Sequence, residues 1–172
     1  MCGIAGCYYL NGMNAELEAI KIMNRTLSHR GPDDEGYFVE GSIGMGHRRL
    51  SIIDLNTGHQ PIFNEDMTMV IVFNGEIYNF KELRVNLKNL GHRFKTRTDT
   101  EAILHSYEQW GVECVHRFRG MFAFAIWDKK KRELFLARDR LGIKPIYYSK
   151  VAECFRFSSE IKALITDKDF PK

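Results

Sequence analysis

The sequence predicts an α+β protein in which two mainly antiparallel sheets pack face to face and are covered by helices. The order of elements carries this reading: strand, helix, strands, helices, then strands again. Turn-rich segments join several of the strands as hairpins. No regular strand–helix–strand repeat is present.

Each element has a local reason. Gly3 to Leu10 is an apolar strand run closed by a turn at Asn11-Gly12. Leu17, Ile20, Met23 (or Asn24) and Leu27 recur at helical spacing, with Glu16 and Glu18 in the first turn, where the helix dipole favours acids. Arg30-Gly31-Pro32-Asp33-Asp34 ends that helix in a loop. Strands are expected at about 37–39 and 43–53. The alternating glycines of Ser42-Ile43-Gly44-Met45-Gly46-His47 mark a close approach of a ligand or another backbone.

Met69 to Phe73 is a third apolar strand. Leu83, Leu87 and Leu90 stripe a helix over 80–90, stopped by Gly91. His92 to Thr96 reads as a short strand. Ile103, Leu104 and Tyr107 face inward from a helix over 100–110, and a short helix follows over 112–118. Strands are then expected at 121–127, 133–137, 146–149 and 154–158, with a last helix beginning at Ser159.

The composition fits one globular domain. Of 172 residues, 44% are hydrophobic, 27% are charged, and Phe, Tyr and Trp supply ample core material. A chain this long buries roughly 70% of its unfolded surface. Disorder and a disulfide-built mini-protein are excluded. A net charge of +3 is too small to argue for nucleic acid, and Lys129-Lys130-Lys131-Arg132 reads as a solvated hairpin turn. No run of 18 apolar residues suggests a membrane span, and no secretory signal is evident. Cys2, Cys7, Cys114 and Cys154 have neither zinc-finger spacing nor a disulfide pattern, so a reducing, cytoplasmic compartment is expected.

Cys2 is the sharpest chemical feature. The small side chain at position 2 favours removal of Met1, which would leave an α-amine beside the Cys2 thiol. An α-amine titrates near ~7.7–8.0 and a thiol near ~8.5, so the two are matched for proton transfer. On Cys2 alone, a buried structural cysteine at the head of a strand is the stronger reading.

The company of Cys2 changes that balance. Met1-Cys2-Gly3-Ile4-Ala5-Gly6 is followed by His29-Arg30-Gly31-Pro32-Asp33, then by Gly46 to Asp54 and Gln60-Pro61-Ile62. Next come Phe73-Asn74-Gly75-Glu76-Ile77-Tyr78-Asn79, Arg97 to Glu101, Arg119 to Ala125, Ala137 to Pro145 and Ser158 to Leu164. This set, in this order, resembles the N-terminal glutaminase domain of the glutamine-dependent asparagine synthetases. These are class II glutamine amidotransferases of the N-terminal-nucleophile hydrolase type. The resemblance covers nearly the whole chain.

It implies a four-layer αββα sandwich and one glutaminase domain over residues 2–172. It also implies hydrolysis of L-glutamine to glutamate and ammonia through a thioester on Cys2. Arg49 is the expected partner of the substrate α-carboxylate, because its planar fork donates two parallel hydrogen bonds. Strand alternation puts Arg48 on the opposite face. Backbone groups of Ile52 and Ile53 are expected beside Arg49, and Asp99 and Glu76 are the expected partners of the α-ammonium. Asp99 also reads locally as a helix N-cap.

Asn74 and Gly75 are the expected oxyanion hole, although Asn-Gly after an apolar strand is locally a hairpin signal. Arg30 to Asp33 reads as a structural turn, and Cys7 as core. No metal or cofactor is expected for the thiol chemistry. The resemblance implies ATP and Mg²⁺ only in a C-terminal synthetase domain, absent from this chain, that would use the ammonia in cis or as a separate partner. A homodimer is left open; nucleic acid and membrane are not expected partners.

Two other readings stand beside this one. A non-catalytic glutamine-binding or scaffold module would keep the fold without turnover. Another hydrolase with the same nucleophile, such as an acylase or peptidase, is disfavoured by Arg49 and Asp99, which suit a free amino acid. The ammonia acceptor could also differ among related amide-forming synthetases.

Overall fold

A computed structural model describes residues 1–50 and 58–166. Its first part contains β1 (Gly3–Tyr9), α1 (Leu17–Arg25), β2 (Asp34–Glu40), β3 (Ile43–Arg49), β4 (Ile62–Phe63) and β5 (Met69–Ile77). Two helices follow, α2 (Phe80–Asn89) and α3 (Asp99–Trp110), then a 3₁₀ segment at Gly111–Arg117. The last part holds β6 (Gly120–Asp128), β7 (Glu133–Arg138), β8 (Tyr147–Val151), β9 (Cys154–Ser158) and the single-turn α4 (Ile161–Leu164).

The strands form a five-stranded sheet, ordered β2-β3-β1-β9-β8, and a four-stranded sheet, ordered β4-β5-β6-β7. Every pairing among the described residues is antiparallel. Successive strand side chains point to opposite faces, and this alternation divides the core into three layers. Ile4, Met45, Val70, Val72, Ala123, Ala125 and Phe157 meet between the sheets. Ile71, Phe73, Ile77, Phe122 and Phe124 face α2 and α3, where they meet Leu83, Leu87, Ile103 and Leu104. Ala5 and Cys7 turn the other way and pack with Ile20 and Met23 of α1, Leu27 in the turn after it, and Ala163 of α4. The result is the expected αββα order, and Cys7 is core.

Gly44 and Gly46 do mark a close approach, but the neighbour is a helix. A Cβ at Gly44 would lie 2.6 Å from Cγ1 of Ile20, and one at Gly46 would lie 3.0 Å from its Cγ2. Missing side chains on the outer face of β3 therefore let α1 sit close to the sheet.

Several expected elements differ. Residues 92–96 are not a strand. Their backbone is satisfied by side chains instead: Arg93 N–H donates to Glu65, and the N–H groups of Lys95 and Thr96 donate to Glu101. Asp99 is not the cap of α3. Thr98 is, its hydroxyl accepting from Glu101 N–H at 3.3 Å, and Asp99 occupies the first helical position. Asn74-Gly75 makes no hairpin, because β5 runs on through both to Ile77 in register with β6. The segment expected as a helix over 112–118 is a 3₁₀ turn, and the final helix starts at Ile161 rather than Ser159. The lysine-rich turn is solvated as expected, with Lys129 and Lys130 paired to Glu40 and Asp66.

Candidate functional site

One cavity of about 120 Å³ opens at the end of the sandwich where β1 begins and β3 ends. Cys2, Arg49, Asn74, Gly75, Glu76 and Asp99 all line it. Ile52 and Ile53 lie outside the described residues.

The strands explain the convergence. Cys2 shares the parity of Ile4, which points between the sheets. Arg49 likewise shares the parity of Met45, whereas Arg48 faces outward and pairs with Glu35 at 2.6 Å. Asn74 and Glu76 follow Val70 and Val72 on the inter-sheet face of β5. Sequence positions 2, 49 and 74 thus reach one cavity through three strands of two sheets.

The Cys2 sulfur sits against the backbone of Leu50, whose N–H lies 3.4 Å from Sγ. The Cys2 carbonyl accepts from Arg30 Nε at 2.9 Å, and Arg30 is itself held by Glu160 at 3.1 Å. The turn expected to be structural therefore clamps the residue that carries the thiol.

Asn74 is buried, and its Nδ2 has no hydrogen-bond partner. A buried donor without a partner costs about 1–3 kcal/mol, so its persistence at a cavity wall points to an acceptor that arrives with a ligand. Gly75 fits the same purpose. A Cβ there would lie 2.2 Å from the Met121 carbonyl, and its φ of +158° suits glycine. Along the same edge of β5, Phe73 N–H donates to Gln60 Oε1 at 2.7 Å and Ile77 N–H donates to Asp99 Oδ2 at 3.0 Å. Strand alternation places the Gly75 N–H between them, on the edge that faces the cavity.

Both signs of charge line the cavity. Arg49 and Lys144 are cationic, Glu76 and Asp99 anionic. Burial pushes the Asp99 carboxyl upward, against hydrogen bonds from the N–H groups of Ile77, Asp99 and Thr100, and Glu76 adds to the rise. Lys144 enters from a loop knitted by Asp139, whose carboxylate accepts from the N–H groups of Phe122, Leu141, Ile143 and Lys144.

Lys144, Leu50, Gln60 and Thr98 were not singled out as site residues from the sequence. Lys144 and Gln60 each precede a proline within the quoted motifs, the only local signal they carry. Met1 lines the mouth, its sulfur 3.4 Å from Lys144 Nζ.

Two stacked antiparallel sheets between helices form the αββα sandwich of the N-terminal-nucleophile hydrolases. Solved structures share the arrangement. A glutamine phosphoribosylpyrophosphate amidotransferase from B. subtilis superimposes with a TM-score of 0.78 at 22% identity, covering 95% of this chain and 43% of that one. An allosteric regulatory enzyme of purine biosynthesis superimposes with a TM-score of 0.79 at 21% identity, over 95% and 43%.

The sequence match is closer. A family profile described as a glutamine amidotransferase domain matches residues 1–172, and this chain belongs to that family. Glutamine-hydrolysing asparagine synthetase 2 of Bacillus subtilis (strain 168) is 46% identical over 175 residues, which is 100% of this chain and 23% of that protein. A putative asparagine synthetase of Methanocaldococcus jannaschii is 44% identical over 191 residues, 100% of this chain and 36% of the relative. Asparagine synthetase 3 of Arabidopsis thaliana is 42% identical, over 97% and 29%. The chain thus spans a quarter to about a third of the length of these relatives. No described helix is long and apolar enough to cross a membrane.

Proposed function

We propose that this domain hydrolyses L-glutamine to glutamate and ammonia through a thioester on Cys2, and that the ammonia is passed to an ATP-dependent synthetase site. The observation that carries the reading is the meeting of the Cys2 thiol, an unpartnered Asn74 amide and side chains of both charges in one cavity. With Met1 removed, the α-amine of Cys2 takes the thiol proton and the sulfur attacks the amide carbon. Asn74 Nδ2 and Gly75 N–H donate to the resulting oxyanion. The amine then protonates the departing ammonia, and water cleaves the thioester to release glutamate and restore the thiol.

Arg49 holds the substrate carboxylate, while Asp99 and Glu76 hold its ammonium. A ligand charged at both ends favours this reading over an acylase or peptidase. The names of the relatives favour aspartate as the final acceptor, with ATP and Mg²⁺ used by a synthetase region in cis or on a partner.

Intact mass of the protein from its native host tests the first requirement. The expected species lacks Met1 and is modified once, at Cys2, by a glutamine-like electrophile. Undiminished deamidation by a chain that keeps Met1 would overturn the mechanism, whereas Met1 retained together with no deamidation would leave a binding module as the better account.

A further inference from the structure

About two turns along α3 from Asp99, two imidazoles and several carboxylates converge. His105 is buried, and its Nδ1 lies 3.1 Å from Glu108 Oε2 and 3.7 Å from Glu65 Oε2. His92 Nδ1 lies 3.4 Å from the same Glu108 oxygen. One donor atom each from His92, His105 and Glu108 falls within 4.8 Å of the others. Zinc bonds of ~2.0–2.1 Å at a tetrahedral angle require donor atoms about 3.3 Å apart, close to the 3.1 and 3.4 Å that separate Glu108 Oε2 from the two imidazole nitrogens.

The surroundings orient each donor. His92 Nε2 faces Gln109 Oε1 at 2.9 Å; that oxygen only accepts, so the ring proton sits on Nε2 and the Nδ1 lone pair faces the cluster. His105 Nε2 lies 3.6 Å from the Glu101 carboxylate, beyond hydrogen-bond distance, while its Nδ1 faces Glu108 and Glu65. Glu108 Oε1 accepts from Asn64 Nδ2 at 3.1 Å and Glu65 Oε1 from Arg93 N–H at 2.9 Å, so each carboxylate keeps its second oxygen for the centre. Outer hydrogen bonds of this kind, here on His92, Glu108 and Glu65, are the mark of a built metal site. The charge count agrees. Glu65, Glu101 and Glu108 all approach His105, which even as an imidazolium has two N–H groups to offer.

We propose that His92 Nδ1, His105 Nδ1 and Glu108 Oε2, with the Glu65 carboxylate beside them at 3.7 Å from His105 Nδ1, bind a divalent transition-metal ion, zinc by the nature of the donors. Such an ion ties the Glu65 and His92 loops to α3. It is structural, since Cys2 and the glutamine cavity lie elsewhere, and it does not rest on the proposed glutaminase reaction.

The test uses the full chain, stripped by a chelator, in a Cys2→Ser background so that the accessible thiol does not compete. Titration with Zn²⁺ followed by calorimetry is expected to show one ion per chain, and Co²⁺ to give the intense visible bands of a four-coordinate complex. His92→Ala and Glu108→Gln, at partly exposed positions, are expected to lose the bands while the stripped proteins melt like their parent. Gln109→Ala is expected to weaken binding about 10–100-fold. His116→Ala, at an exposed imidazole paired with the exposed Glu113, serves as the control and leaves binding unchanged. No saturable uptake of either ion, or uptake undiminished by His92→Ala and Glu108→Gln, would overturn the proposal and leave a metal-free imidazolium–carboxylate cluster.

Discussion

His47 Nε2 donates to the carbonyl of Phe73 at 3.1 Å, joining the two sheets immediately before Asn74. A carbonyl only accepts, so the bond defines the imidazole tautomer. The Phe73 N–H is taken by Gln60, so side chains continue the edge hydrogen bonding of β5 where the two-residue β4 stops. This arrangement holds the strand segment that presents Asn74 and Gly75.

It also predicts an acid sensitivity. Burial drives the His47 pKa down to about 3 from an ordinary 6.5, with the Phe73 carbonyl opposing the shift. Below pH ~6.5 the unfolded chain binds a proton that the native state refuses. Stability attributable to this group is therefore full above that pH and declines as pH falls towards about 3, by up to ~1.4 kcal/mol per pH unit. Urea unfolding across this range should show a flatter pH dependence for His47→Gln than for the parent. Parallel curves would remove His47 as the cause.

Asn74→Ala separates rate from stability. The Nδ2 group has no partner to lose in the free protein, so the melting temperature should stay within a few degrees. The glutaminase kcat should fall roughly 10²–10³-fold with little change in KM. An unchanged kcat would place the oxyanion elsewhere.

Arg49→Lys should act on the opposite parameter. Lysine keeps the charge but loses the planar fork. Loss of one charged hydrogen bond, about 1.5–3 kcal/mol, corresponds to roughly a 10- to 150-fold rise in KM for glutamine. Steady-state kinetics decide this, and an unaltered KM would exclude Arg49 from carboxylate recognition.

Asp99 gives the pH dependence of binding. Its carboxyl must be ionised to hold an ammonium, and burial raises its pKa. KM for glutamine should therefore rise on acidification before an ordinary carboxylate would titrate. Asp99→Asn should raise KM and abolish that acid limb; retention of the limb in the variant would assign it to another group.

Much of this was readable in advance where the cause is local. The periodicity of Leu17, Ile20 and Leu27 suffices for α1, and strand alternation alone sets Arg49 and Arg48 on opposite faces. Local rules failed where distant groups took over the backbone. Residues 92–96 have strand-like composition, but Glu65 and Glu101 claim their N–H groups, so no ladder forms. Asn74-Gly75 is a turn signal overridden by nine residues of pairing between β5 and β6.

The sequence by itself determined the layer order, the family and the residues worth placing at a site, because hydrophobic period and motif order are properties of neighbours along the chain. Only the tertiary structure decided that Arg30 grips the Cys2 carbonyl, that Lys144 enters the cavity and that His92 meets His105. Those contacts join residues far apart in the chain, and their geometry depends on how sheets and helices stack.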